Sequence, residues 1–161
     1  MDSERDFDLR PLHGTDAEAV AALVRLAFTQ QSVVTDPPAS ALRESPEVVA
    51  GILAEDGGFG AWRGGLLVGC VLWQRKEPGA LYLGRLSVHP AARGLGVARA
   101  LVAAVESQAR ALGLGRIMLS TRLVLADNRR LFAACGFVET QIQAHPGYTY
   151  PTFVDMEKSL R

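Results

Sequence analysis

Between Leu83 and Leu112 the apolar residues change their period within a few positions. Up to Val88 they follow a strand-like alternation. From Ala98 onward, Leu101, Val102, Val105, Ala109 and Leu112 recur every three or four positions, as on one face of a helix. His89-Pro90 ends the first pattern, and Gly94 and Gly96 lie in the gap between the two. A strand that runs through a glycine-containing turn into a long amphipathic helix confines the chain to an α/β arrangement, because the helix must fold back over a sheet to cover its apolar stripe.

The flanking sequence extends this unit on both sides. Phe7 and Leu9 alternate with polar residues in a short opening strand. Thr15, with Glu18 three residues on, has capping-box spacing and predicts a helix through Val20, Leu23, Val24, Ala27 and Phe28. Asp36-Pro37-Pro38 breaks the chain, and Ser45 and Pro46, as N-cap and first helical residue, open a second helix through Val48, Val49, Ile52 and Leu53. Gly57-Gly58 leads into three successive strands, 59–63, 66–76 and 80–89, joined at Gly64-Gly65 and Pro78-Gly79.

Beyond the long helix, which Gly113 and Gly115 close, Ile117 to Arg122 reads as a strand. Asp127 or Asn128 can cap a short helix through Leu131, Phe132 and Ala133, ended by Gly136. Two last strands, 137–143 and 152–157, flank the loop His145-Pro146-Gly147-Tyr148. The expected fold is a single α/β (α+β) domain over residues 1–161, with a mixed, mostly antiparallel central sheet of about seven strands and helices on both faces.

At 161 residues the chain suffices for one such core. No window approaches the roughly 18 uninterrupted apolar residues of a membrane span. The acidic start Met1-Asp2-Ser3-Glu4-Arg5-Asp6 lacks a basic-then-apolar leader pattern, so a cytoplasmic location away from the membrane is expected. Cys70 and Cys135 have no C-x-x-C spacing and sit among apolar neighbours, which points to core packing and to no metal site.

Net charge is zero but unevenly spread: residues 1–60 hold 11 acids and 4 bases, and residues 61–161 hold 6 acids and 13 bases. Between Arg85 and Arg130, eight arginines face only Glu106 and Asp127. That balance suits a small polyphosphate ligand better than a nucleic-acid duplex, which calls for a more basic domain, so no nucleic-acid partner is expected.

The turn between strand and helix is where such a ligand fits. The first amides of a helix lack intrahelical partners and lie at the positive end of its dipole. Gly94 and Gly96 remove side chains that would hold a pyrophosphate off those amides, and Arg93 adds a planar cation. A P-loop would need Gly-Lys-Ser or Gly-Lys-Thr, which is absent, and a dinucleotide fingerprint would need a third glycine where Arg99 stands. The pattern Arg-x-x-Gly-x-(Gly/Ala) is met by Arg93, Gly96 and Ala98, and the segment Asn128-Arg129-Arg130-Leu131-Phe132-Ala133-Ala134-Cys135-Gly136-Phe137 follows it. With both segments in order, the chain resembles the GNAT N-acetyltransferase superfamily from about Leu9 to Leu160, in element order as well as in motif.

The resemblance implies an acetyl-CoA-dependent acyltransferase that passes an acetyl group to a primary amine, in the first instance a small molecule, by direct attack on the thioester. It implies that Leu86, Ser87 and Val88 pair with the pantetheine arm, with the Val88 amide as an oxyanion donor. Backbone amides of Arg93, Gly94, Leu95, Gly96, Val97 and Ala98 would hold the pyrophosphate. Asn128 would reach the pantetheine, and Phe132 stands beside it where the family usually has the tyrosine presumed to protonate the thiolate. Phenylalanine cannot donate that proton. The glutamates that act as base in some relatives fall near Tyr82 or Ser120, and neither is acidic. Tyr82, His145 and Tyr148 are therefore the candidates for proton handling or amine positioning, and a histidine has the pKa range of a base at neutral pH. His89 and His13 read as a strand-end and a loop residue. The first two helices cover the acceptor site in relatives, so Asp36, Glu44, Glu47, Glu55 and Asp56 favour a cationic amine. The resemblance also leaves room for a homodimer, for a protein N-terminus or lysine as acceptor, and for a module that binds acyl-CoA without turnover.

Overall fold

The computed structural model describes residues 6–30 and 35–161, so the acidic N-terminal residues 1–5 lie outside it. Seven strands and four helices follow in the order β1 (Asp8–Pro11), α1 (Ala17–Thr29), α2 (Pro46–Glu55), β2 (Gly57–Arg63), β3 (Leu66–Glu77), β4 (Ala80–Val88), α3 (Val97–Ala111), β5 (Arg116–Arg122), α4 (Ala126–Ala134), β6 (Val138–Gln143) and β7 (Phe153–Ser159). They form one sheet in the order β1-β2-β3-β4-β5-β7-β6. Every neighbouring pair is antiparallel except β4 and β5, which α3 connects as a parallel crossover.

Each face of the sheet is covered by the stripe that the helical period supplies. Leu101, Val102 and Val105 of α3 and Phe132 of α4 pack on Val71, Leu81, Leu83, Ile117, Leu119, Val154 and Met156. Val20, Leu23 and Val24 of α1 and Val49 and Ile52 of α2 pack on Leu67, Cys70 and Leu72 of β3 on the other face. Cys70 is fully buried, and burial pushes its thiol up to about 12, which suits packing rather than chemistry.

Local capping departs from expectation at two helices. At α2, Ser45 Oγ accepts the Val48 amide at 3.3 Å with Pro46 as first residue, as the sequence indicates. At α1, Thr15 is not the cap: a one-turn 3₁₀ helix, Gly14–Asp16, precedes the helix, and the Asp16 carboxylate accepts the His13 amide at 2.8 Å. At α4, neither Asp127 nor Asn128 caps; the helix begins at Ala126, and the Asp127 carboxylate pairs with Arg130 one turn on. Phe137, expected to begin the sixth strand, instead turns into the core and meets Phe132 edge to face, ring centroids 5.8 Å apart.

Two irregularities open the sheet. The β4–β5 ladder comprises only Ala80–Arg116, Leu81–Ile117 and Tyr82–Met118. On the other edge of β4, the pairs Cys70–Ser87 and Leu72–Gly84 leave one extra residue in β4, and Arg85 there takes φ +54. A bulge bends the strand that carries it, so β4 diverges from β5 beyond Tyr82 and its edge toward β5 is left unpaired.

Candidate active site

The gap between β4 and β5 is a continuous cleft. Its larger part, about 670 Å³, is walled by β4 from Tyr82 to Leu86, by β5 from Leu119 to Arg122, and by Gln143 to Pro146. A second part of about 500 Å³ runs on toward Arg93 and shares Phe28, Leu86, Leu125 and Asn128 with the first. The cleft thus spans from the strand–turn–helix to the ends of β5 and β6.

At the first end, the turn itself offers backbone amides and the Arg93 guanidinium. Gly94 and Gly96 both take φ +82, a left-handed conformation that disfavours side chains, and a Cβ at either would meet nothing within 4 Å. Gly96 is the N-cap of α3 and no side chain caps the helix, so the first-turn amides from Val97 onward remain free for an anion. The Val97 side chain is buried and that of Leu95 packs against the core, which leaves the turn to act through its main chain.

Along β4, the His89 amide donates to the Val68 carbonyl at 2.7 Å, toward β3. Amides of successive strand residues point to opposite edges, so the Val88 amide faces the gap. Ser87 has a different task from that of its neighbours: its side chain is buried, and its hydroxyl donates to the Arg85 carbonyl within the bulge at 3.2 Å. Asn128 lines both parts of the cleft, whereas Phe132 lines only the larger one and is 6% exposed.

The arginines of the basic stretch sort into two groups. Arg85, Arg110, Arg116, Arg129 and Arg130 each have a carboxylate partner. Among the described residues, Arg93, Arg99 and Arg122 have none: Arg93, in the turn, and Arg122, at the end of β5, line the two ends of the cleft, and Arg99 lies in the first turn of α3.

At the second end the candidates separate. His145 lines the cleft; its Nδ1 is within hydrogen-bonding reach of Thr152 Oγ1, which also accepts the His145 amide at 2.8 Å. Burial, and then the nearby Arg122 charge, hold its pKa below the usual histidine value, so the neutral ring dominates at pH 7. Tyr82 lines the cleft and a smaller adjoining hollow, with Lys76 Nζ 4.2 Å over its ring. Tyr148 does not line the cleft. Its hydroxyl donates to Asp36 Oδ1 at 2.7 Å, an interaction that raises its pKa and ties the β6–β7 loop to the segment after α1.

Asp155 is a residue the sequence reading passed over. It pairs with Ser120 across β5 and β7, accepts the Ser120 hydroxyl at 2.6 Å and the Gln143 amide, and lines the hollow shared with Tyr82. Its alternation with Val154 and Met156 was visible, but its approach to Ser120 depends on β5 and β7 being neighbours, which periodicity does not reveal.

The acids of the first third do not line the cleft. Glu44 is buried against Arg85, Asp36 takes the Tyr148 hydroxyl, Asp56 accepts the Arg75 amide, and Glu47 and Glu55 are exposed on α2. The charged side chains that line its larger part are Arg85 and Arg122, so the acids counted along the chain give no support there to a cationic acceptor.

The profile of the Acetyltransferase (GNAT) family matches residues 20–137. The chain is a GNAT acetyltransferase. Its fold is shared by the ribosomal-protein-S18-alanine N-acetyltransferase of Escherichia coli, at 18% identity with 96% of this chain and 94% of that one covered and a TM-score of 0.76. It is also shared by the putative acetyltransferase yncA of Salmonella typhimurium, solved with its cofactor acetyl-CoA, at 16% identity, 97% and 95% coverage and a TM-score of 0.74. The paia N-acetyltransferase of Thermoplasma acidophilum, in complex with coenzyme A, aligns at 18% identity, 95% and 98% coverage and a TM-score of 0.77. No curated protein sequence matches the chain.

As a GNAT acetyltransferase it uses acetyl-CoA as co-substrate. The residues present fit that molecule: free first-turn amides, open space before two glycines, two arginines without carboxylate partners, and an unpaired strand edge leading inward. Among the described residues no group of three or more His, Cys, Asp or Glu could hold a metal ion, and no helix is long and apolar enough to cross a membrane.

Proposed function

We propose that this acetyltransferase acts on the primary amine of a small molecule, by direct attack of the amine on the thioester. The observation that carries the small acceptor is the closure of the far end of the cleft. Tyr148 reaches Asp36, and Arg122 donates to the Pro37 and Pro38 carbonyls, so the β6–β7 loop and the end of β5 are both joined to the segment after α1. A folded polypeptide acceptor needs an open groove there.

Acetyl-CoA supplies an activated thioester, and the protein's residues do the rest. The amides at the start of α3, with Arg93 and Arg99, hold its phosphates. The free edge of β4 at Leu86 and Val88 aligns the pantetheine arm as an added strand, and the Val88 amide donates toward the carbonyl oxygen as negative charge develops. Asn128 borders the arm. His145, neutral at pH 7, takes a proton from the amine in the tautomer whose Nδ1–H donates to Thr152 Oγ1, which leaves Nε2 free. Ser120, fixed by Asp155, and Tyr82 position the acceptor from the β5 and β4 walls. Phe132 keeps the floor apolar, so the departing thiolate is protonated by Tyr82, by water or by the attacking nitrogen, which sheds a proton as the amide forms.

Thiol release from acetyl-CoA, followed over a panel of small amines and a matched panel of peptides bearing free N-termini or lysines, tests the proposal. Turnover confined to small amines is expected. Clear preference for peptides would overturn it, and tight acetyl-CoA binding with no release on either panel would leave a binding module.

A further inference from the structure

We infer that the acceptor carries an anionic group, a carboxylate in the first instance, and that Arg122 holds it; the inference rests on the small-amine reading and specifies its substrate class. Arg122 is a half-buried guanidinium in the wall of the cleft, and no carboxylate lies within 4.0 Å of it among the described residues. Its hydrogen-bond partners are two carbonyls: one N–H donates to Pro37 O at 2.5 Å and another to Pro38 O at 3.5 Å. Carbonyls orient the planar fork without neutralising it, and a guanidinium has five N–H donors, so three remain.

Among the charged and titratable groups around it, Asp36 acts on that positive charge from a distance, and none is paired with it. Arg85, on the opposite wall, is held by Glu44. His145 is biased toward its neutral form, partly by Arg122 itself. Asp36 is exposed to solvent, which screens its pull on Arg122, and its carboxylate is engaged by the Tyr148 hydroxyl. Residues 31–34 are Gln, Ser, Val and Val, none of them acidic. A cationic acceptor would meet like charge in partly desolvated space, whereas a carboxylate can take two parallel N–H bonds from the fork. Arg122 follows Ser120 at the two-residue spacing that puts both on one face of β5, so an acceptor anchored at Arg122 presents its amine beside Ser120 and His145.

The test uses the full chain and sets of three compounds with a common side chain: an L-α-amino acid, its primary amide and its decarboxylated amine, taken over apolar and polar side chains. Aminophosphonates form a fourth arm that distinguishes phosphonate from carboxylate. Two readouts run in parallel, calorimetric binding to the protein saturated with coenzyme A, and kcat/KM by thiol release. The expected result is binding of the amino acids about 10–100-fold tighter than of their amides, as suits charge-assisted hydrogen bonds. Arg122→Gln should erase that ratio, and Arg122→Lys should restore part of it, with the change in KM rather than kcat. A merely structural role for Arg122 would weaken all compounds alike and leave the ratio unchanged, which overturns the inference. Amides or decarboxylated amines binding as well as the acids, phosphonates winning over carboxylates, or no compound binding at all, would also overturn it. Amino acids that bind through Arg122 without thiol release would uphold the anion site and sink the transfer reading alone.

Discussion

Arg85, at the left-handed position of the β4 bulge, donates its Nε to the Glu44 carboxylate at 2.6 Å, and the Glu44 side chain keeps only 5% of its surface exposed. Removing one member of a buried pair strands the other, at roughly 3–5 kcal/mol for full burial. Arg85 retains 29% exposure, so a smaller cost of about 2 kcal/mol is expected for Glu44→Ala, whose orphan can reach water. Arg85→Ala should cost more, because it leaves the more buried carboxylate alone. The double variant should fall short of the sum of the two. Chemical denaturation of the four proteins measures the coupling, and simple additivity would show that the pair contributes nothing as a pair.

Substitution at Gly96 acts twice. Its φ of +82 means that any side chain is strained, so Gly96→Ala should lower stability by about 1–2 kcal/mol even though the space before it is open. Gly96→Glu should show a similar stability loss and, in addition, no acetyl-CoA binding, since a carboxylate would stand where phosphate is held. Calorimetry on both folded variants separates the effects. Unchanged affinity in Gly96→Glu would make the turn purely structural.

Phe132 is a core residue as well as part of the cleft floor, being 6% exposed and stacked edge to face on Phe137. Phe132→Ala should therefore cost about 3–5 kcal/mol of stability and reduce turnover through lost packing. Phe132→Tyr should keep the rate similar or raise it modestly, measured as kcat at saturating acetyl-CoA so that binding defects are set aside. A large loss of kcat in a folded Phe132→Tyr would mean that the floor must stay apolar.

The pH dependence has a definite sign. Burial and the Arg122 charge hold the folded-state pKa of His145 below the ordinary histidine value, so the base is neutral at pH 7 and kcat/KM should fall as pH drops through that lowered pKa. The fold favours the neutral ring, so the linked stabilisation is likewise present at pH 7 and declines as pH falls below 6.5. His145→Gln should remove the acid limb of the rate profile. Arg122→Gln should move that limb to higher pH, because the Arg122 charge is one of the two causes of the depression. An acid limb that survives His145→Gln unchanged would assign the base elsewhere, with Asp155 the next group to replace.

Tyr148→Phe should leave kcat nearly intact and raise the acceptor KM, because its hydroxyl serves Asp36 and the tyrosine does not line the cleft. A collapse of kcat with unchanged KM would restore Tyr148 as a proton donor.

The sequence was most informative where local chemistry determines structure. The period change around Gly94 and Gly96 placed β4, the turn and α3, and the Ser45-Pro46 pair placed the start of α2. It misled where two local partners compete: Asp16 engages His13 in place of a Thr15 cap, and Asp127 engages Arg130 in place of capping α4. It was silent where the answer lies between distant strands. The β5–β7–β6 order, the Ser120–Asp155 contact and the pairing of the acids with Arg85, Tyr148 and the Arg75 amide all depend on tertiary placement. Counting acids along the chain likewise ignores which ones a neighbour has already taken up, as Glu44, Asp36 and Asp56 are.

The brevity of the β4–β5 ladder, three residue pairs in the middle of a seven-stranded sheet, has a mechanical consequence. It divides the sheet into two leaves joined by a short seam, with α3 and the core beneath acting as the spine. A ligand arm laid along β4 would work as a zip fastener, adding main-chain bonds where the leaves part. The seam should then be the softest line in the molecule when the cleft is empty, with backbone deuterium uptake along 83–88 slowing most when coenzyme A is added.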